Sequence, residues 1–286
     1  MPPSMWHIRN QSHDLARHGM IMGIVNVTPD SFSDGGRFNE TSRAVEHALQ
    51  LVAQGADIID IGGESTRPGA DPVPEDEELR RVVPVIAALR GKTKALLSID
   101  TFKASVARAA LDHGADIIND ITGLTGDPKM AEVAARSDVG LVVMHMQGRP
   151  RTMQQAPVYG DVVAEVESFF QHRLSALRQR GIDPQRVALD PGIGFGKRLE
   201  HNLALLNATA RFQALGRPIL IGSSRKSMLG NVMGSTAMED RFWPGVAITS
   251  FTREAGAVIH RVHDVKAHSQ ALRMSEAILF GAPIQS

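Results

Sequence analysis

The chain of 286 residues contains no cysteine, so neither a disulfide framework nor thiolate metal ligation is available, and a reducing compartment is compatible with that composition. Net charge is absent too: 31 Lys and Arg balance 31 Asp and Glu. That balance removes the broad electrostatic footprint of a nucleic-acid or anionic-membrane binder, while leaving room for a local basic cluster that takes a small anion. Long apolar runs are also missing, and no stretch approaches the roughly 18 residues of a membrane-spanning helix. The opening letters, MPPSMWHIRNQSHDLARHGM, scatter His, Arg and Asp where a signal peptide needs an unbroken apolar core. With 43% hydrophobic and 22% charged residues the chain is not disordered and can bury a large core. A soluble, cytoplasmic protein acting on small molecules is expected, with no nucleic-acid and no membrane partner.

What the sequence does have is a phrase written twice. GADII occupies 55–59 and again 114–118, the first copy continuing as DIGGESTRPG and the second as NDITG. Before each copy stands a pattern with apolar residues three and four apart, SRAVEHALQLVAQ and KASVARAALDH, which predicts a helix closed by a left-handed Gly. ADIIDI and ADIIND are short and β-branched, as suits parallel strands covered on both faces. IMGIVNV, ALLSID, GLVVMHM, RVALD, PILIG and AVIHRVH read the same way, making eight strands with the two copies. The helical patterns EDEELRRVVPVIAALR, DPKMAEVAARS, DVVAEVESFFQHRLSALRQR, LEHNLALLNATARF, VAITSFTREA and VKAHSQALRMSEAIL separate most of them. Such alternation over this length predicts an α/β fold, a closed (β/α)8 TIM barrel in a single domain, with a doubly wound open sheet as the competing architecture.

In a barrel of this kind the loops after the strands form the working face. The shared letters would then build the wall and the unshared ones furnish a site. Candidates at the strand ends are Asn26, the ESTR of 64–67, Asp100, Asn119, His145, Asp190, the SSRK of 223–226, Arg261 and His263. Asp100, Asp190 and Asn119 are rich in acceptors and would suit a flat heterocycle carrying amino and ring N–H donors. Lys226, Arg261 and His263 follow the last two strands, where barrels often hold phosphate. Taken singly, an Asp at a strand end more commonly caps a helix, a lone Lys or Arg is solvated, and His145 could equally be a packed histidine. Only their joint appearance at successive strand ends favours a site.

Other motifs are missing. The glycines of DPGIGFGKR match neither a dinucleotide fingerprint nor a P-loop and read as a shaped turn; no HExxH or EF-hand pattern is present. A hard cation that arrives with a phosphate-bearing substrate needs few protein ligands, so magnesium stays open.

Eight blocks carry a resemblance: GIVNVTPDSFSDGG (23–36), IGGESTRPGA, SIDTFK, GADIINDITG, VVMHMQGRPRTMQ, LDPGIGFGK, ILIGSSRKSMLG and IHRVHDVK. In this order, over nearly the whole chain, they resemble the dihydropteroate synthase family. That resemblance implies a (β/α)8 barrel, a homodimer, and a transferase that joins p-aminobenzoate to 6-hydroxymethyl-7,8-dihydropterin diphosphate with Mg2+ present, giving 7,8-dihydropteroate for folate synthesis. By position it implies that Asp100, Asn119, Asp190 and Lys226 hold the pterin and that Asn26, Thr66, Arg261 and His263 surround the diphosphate, Asn26 also serving magnesium. Lys226, Arg261 and a protonated His263 would be the catalytic groups, with no general base. The resemblance further places p-aminobenzoate among Phe32, Ser33, Asp34, Arg67, Pro68 and Ser227, and carries an expectation of sulfonamide sensitivity.

Two features depart from the family pattern. Trp243-Pro244 leaves the helix before the last strand open, and residues 1–20 are expected to cap the floor of a barrel formed by 21–286. The alternatives are a methyltetrahydrofolate:corrinoid methyltransferase-like barrel, which has no need of the cation cluster, and a catalytically silent pterin-binding subunit.

Overall fold

Gly55 and Gly114 adopt φ of 104° and 106°, a region in which a Cβ is costly, and each turns a helix into the strand that follows. Both copies of the repeated phrase then do the same local job. Asp57 accepts the backbone N–H of Ile21 at 2.8 Å and Asp116 that of Leu97 at 3.0 Å, so each copy pins the strand before it.

The computed structural model describes residues 4–28, 36–67 and 69–281. A hairpin, β1 (Met5–Ile8) and β2 (Gln11–Asp14), comes first. Parallel strands follow: β3 (Met20–Asn26), β4 (Ile58–Gly62), β5 (Leu96–Asp100), β6 (Ile117–Asp120), β7 (Gly140–Met144), β8 (Val187–Asp190), β9 (Leu220–Ile221) and β10 (Ile259–Val262). Between them run α1 (Gly36–Ala53), α2 (Glu75–Arg90), α3 (Ala104–Asp112), α4 (Met130–Ala135), α5 (Val162–Gln179), α6 (Leu199–Asn207), α7 (Thr209–Gln213), α8 (Ser227–Met233) and α9 (Phe242–Glu254), with α10 (Val265–Phe280) last.

The eight parallel strands lie side by side in chain order, with β10 against β3. A bridge between Leu189 and Ile219 joins β8 to the approach of β9 and completes the ring. No order reversal occurs, which rules out the doubly wound sheet and establishes the barrel. Every expected strand and helix is present; α8 is an addition that the apolar spacing did not show. Trp243-Pro244 does not break α9, because Pro244 falls in its first turn, where no backbone donor is required.

Period-two alternation divides the core. Ile21, Ile59, Ile61, Leu97, Ile99 and Ile118 face the helices in one cluster, while Met22, Ile58, Ile117, Val142, Ala188, Leu220 and Ile259 fill the barrel interior in a second. Trp6 of the hairpin belongs to that inner cluster and donates its indole N–H to the Arg186 carbonyl at 2.9 Å. The lower barrel is therefore packed shut, and chemistry is left to the other end.

Candidate active site

Along each strand the inward positions change from apolar to polar. On β4 the sequence IIDIG sets Asp60 between the outward Ile59 and Ile61; on β5, Ser98 and then Asp100 follow Leu96 on the same inward face. Asn119, Asp190 and Arg261 stand at the matching ends of β6, β8 and β10.

These groups converge on Arg261. Its Nε donates to Asp60 Oδ2 at 2.6 Å and its Nη2 to Asp100 Oδ2 at 2.6 Å, leaving Nη1 without a protein acceptor among the described residues. Asn119 Nδ2 donates to the same Asp60 oxygen at 3.1 Å. Burial disfavours the guanidinium charge, but Asp60 and Asp100 outweigh it and hold the proton more firmly than usual. Burial pushes the Asp100 carboxyl up to about 7; Arg261 opposes that rise, and Asp60, Glu78 and Asp120 add to it.

Asp60 is fully buried, and strand-end reasoning missed it because it lies inside the strand. A signal was there: alternation puts this charge on an inward face that is otherwise apolar, and a buried charge needs a partner.

Asp190 accepts the Gly192 N–H at 2.7 Å through Oδ1. Burial raises its pKa, against the pull of Lys226, the Gly192 N–H, Lys197 and Arg261. Gly222 shows how close the two poles are: a Cβ built there lies 3.8 Å from Arg261 Cβ and 3.9 Å from Asp190 Oδ2. Asp190 and Arg261 therefore share one rim. Lys226, at the start of α8, donates to the carbonyl of Ile193 and lies 4.5 Å from the centre of the Phe195 ring. Burial lowers its pKa to about 8, with Asp190 working the other way.

DPGIGFGKR forms the expected turn, with φ of 68°, 83° and 63° at Gly192, Gly194 and Gly196. Gly192 is obligatory, since a Cβ would sit 1.9 Å from the His145 carbonyl oxygen. The turn brings in Lys197, a second buried group that motif reading passed over, whose Nζ lies 3.0 Å from His145 Nδ1 and donates to Phe195 O at 3.0 Å. His145 is the packed histidine: it meets Phe169 edge-on at 5.0 Å, and burial followed by Lys197 lowers its pKa to about 3.

In the ligand-free protein His263 does not carry the charge expected of it beside diphosphate. Burial, then Arg225 and Arg261, hold its pKa down at about 3, with Arg67 acting in the same direction, so the ring is neutral in the ligand-free protein. Ser224 Oγ accepts the His263 backbone N–H at 3.2 Å and lies 3.1 Å from Nδ1. Which of the two donates in the Nδ1 contact follows the ring tautomer, since the hydroxyl can both give a proton and accept one. The same arginines that depress His263 create a positive field at this side of the mouth.

Asn26 ends β3 and is half-buried, beside Gly62 in register. Thr66 is half-buried and Arg67 exposed in the loop after β4, and Ser227 is exposed at the first residue of α8. Phe32, Ser33, Asp34 and Pro68 lie outside the described residues.

Comparison with known proteins gives a consistent set of relatives. The profile of pterin binding enzymes matches residues 22–263. The dihydropteroate synthase of Escherichia coli K12 is 47% identical over 268 residues, covering 94% of each chain. Among solved structures, the Xanthomonas albilineans dihydropteroate synthase with 4-aminobenzoic acid superposes with a TM-score of 0.90 at 44% identity, over 99% of this chain and 100% of that one. The Yersinia pestis dihydropteroate synthase in a sulfonamide drug complex gives 0.89 at 43% identity, over 96% and 99%.

Proposed function

Since this chain belongs to the dihydropteroate synthases among the pterin binding enzymes, we propose a division of labour for the reaction at its barrel mouth. The enzyme condenses 6-hydroxymethyl-7,8-dihydropterin diphosphate with p-aminobenzoate, releasing diphosphate and giving 7,8-dihydropteroate for folate synthesis. Asp190, Asn119 and Asp100 hold the pterin, with Lys226 over the Gly-rich turn. The free oxygen of Asp190 and its neighbours offer buried acceptors that an analogue without the matching donors would leave unpaired. Thr66, Arg261 and His263 receive the diphosphate. The observation that carries this reading is the shared rim at Gly222, where a Cβ would lie within 4 Å of both the Arg261 side chain and an Asp190 oxygen, so one bicyclic ester can touch acceptors and cations together.

Chemistry follows from that placement. Departure of diphosphate leaves a positively charged methylene, and the barrier falls as the protein's cations take up the leaving charge. Arg261 and Lys226 bring positive charge to this task, and His263 adds a ring hydrogen bond. The amine of p-aminobenzoate is already nucleophilic, and its placement by Arg67, Ser227 and the loops bearing Phe32, Ser33, Asp34 and Pro68 does the rest. No general base is required.

The residues fit magnesium. Asn26 presents a half-buried amide with no protein partner among the described residues, and one such oxygen with substrate phosphate and water suffices for a hard cation. When bound, the ion would neutralise leaving-group charge. Exposed Trp243 and Phe251 on α9 and Met274 and Ile278 on α10 support a homodimer through these helices. Among the described residues no helix is long and apolar enough to cross a membrane, and a cytoplasmic enzyme fits the cysteine-free chain.

The test is direct. Purified protein given both substrates and Mg2+ should form dihydropteroate and diphosphate in equal amounts, and binding of pterin diphosphate without turnover would overturn the catalytic reading.

A further inference from the structure

The segment 64–73 leaves β4, carries Thr66 and Arg67, and returns to the chain just before α2. Both of its ends converge on one ammonium. Lys103 Nζ donates to Glu64 Oε2 at 2.5 Å at the near end and to the Val73 carbonyl at 2.6 Å at the far end. A third bond, to Glu78 Oε2 at 2.5 Å, ties the same nitrogen to the first turns of α2. Glu78 is 1% and Glu64 9% exposed at the side chain, so solvent and salt screen these pairs little.

Local sequence prepares the clamp. A Cβ on Gly63 would meet Val82 at 2.8 Å and Glu78 at 2.9 Å, so only glycine lets the chain press against α2 before Glu64 points at Lys103. Arg81 then holds the Gly63 carbonyl at 2.8 Å. Among the described residues of the segment the hydrogen bonds are few: Arg67 N–H to Ser65 Oγ at 3.5 Å, Ala70 N–H to Arg67 O at 3.1 Å, and Gly69 N–H to Pro150 O at 3.4 Å. Among its described residues the ends are held by the ammonium and the middle by little. Lys103 also stands at the start of α3, on the loop that follows Asp100, which links this segment to the pterin side of the mouth.

We propose that Lys103 is a positioning residue: by closing the base of segment 64–73 it sets Arg67 for the second substrate. The inference rests on the role given above to that segment in p-aminobenzoate binding. Without the ammonium, two buried carboxylates face each other and drive the base open.

Hydrogen exchange and kinetics test it together. In Lys103→Met, amide exchange in 64–73 should quicken and the KM for p-aminobenzoate rise by about tenfold, while affinity for pterin diphosphate changes less than about threefold. Lys103→Arg, which keeps a cation there, should show the smaller loss. Glu64→Gln releases only the near end and leaves Glu78 paired; it should raise the same KM by about threefold, and it carries the test if Lys103→Met does not fold. Unchanged exchange with unchanged KM, or equal losses for both substrates, would overturn the proposal. A wild-type protein that forms no dihydropteroate removes the functional reading instead, and the exchange of 64–73 still decides the clamp.

Discussion

Asn119 donates its side-chain amide to Asp60 at 3.1 Å, and each of the two residues directly follows a copy of GADII. Each follows the shared Ile-Ile pair, so alternation turns both inward, from β4 and β6 on either side of β5. One copy ends in a carboxylate and the other in an amide that can donate to it. Arg261 completes the arrangement by donating to the same Asp60 oxygen, and Asp60 Oδ1 stays buried with no hydrogen bond among the described residues. The guanidinium is thereby aimed before any substrate arrives, which is the preorganisation that charge stabilisation requires.

Removing Asp60 should therefore cost catalysis without touching substrate. Asp60→Ala frees Arg261 to follow Asp100 alone and leaves Asn119 without its acceptor; kcat/KM should fall about a hundredfold, and Asp60→Asn should recover part of it by keeping the shape. Steady-state kinetics with the pterin substrate varied decides this. An alanine variant of full activity would mean that Arg261 needs no such aim.

The two poles of the mouth should separate kinetically. Asp190→Ala removes the pterin's anchor and should abolish measurable affinity in calorimetry. Arg261→Lys keeps a charge for Asp60 and Asp100 but loses the fork, so single-turnover rate should drop at least tenfold while pterin affinity falls less. Equal effects on binding and turnover in both variants would remove the assigned division.

Gly222 offers a cleaner probe, because it touches the site and not the fold. Among the described residues its Cβ would meet only Arg261 and Asp190, both at ordinary contact distance, so Gly222→Ala should fold with an unchanged melting temperature. The methyl would stand between the two poles, where the bicyclic ring must lie. Affinity for the pterin should weaken by about tenfold or more, and an unweakened affinity would place the ligand elsewhere.

Much of this was legible in the letters, for definite reasons. Strand and helix alternation gave the barrel because both periods are strong here, and GADII marked two wall strands through its left-handed Gly and β-branched run. Strand-end reasoning reached Asp100, Asn119, Asp190 and Arg261 because they end their strands or stand next to the last residue. Asp60 escaped it by lying one layer deeper, and Lys103 and Lys197 because their partners come from distant parts of the chain: Glu64 and Glu78 for one, His145 for the other. The charge of His263 was also beyond spacing rules. Arg225 and Arg67, whose charge lowers its pKa, come from other loops, and only folding brings that charge within range of the ring.

Asp120, the last residue of β6, should make stability depend on pH in a way that one substitution can isolate. It is fully buried; Oδ1 accepts the Thr122 N–H and hydroxyl, both at 2.7 Å, and Oδ2 has no partner among the described residues. Burial raises its pKa to about 6, against the pull of the Thr122 and Leu124 hydrogen bonds and Arg173. The folded protein thus keeps a proton that the unfolded chain releases near pH 4. Below that pH the carboxyl costs nothing; the penalty grows as pH rises and is complete above about 6, where a shift of roughly two units amounts to on the order of 3 kcal/mol. Asp120→Asn keeps the Oδ1 acceptor and has no charge to lose. Its stability relative to wild type should climb between pH 4 and pH 7 and then level off, whatever constant offset its buried amide introduces. Denaturant titrations of both proteins at several pH values measure that difference, and a flat difference would show that Asp120 is already ionised at no cost in the fold.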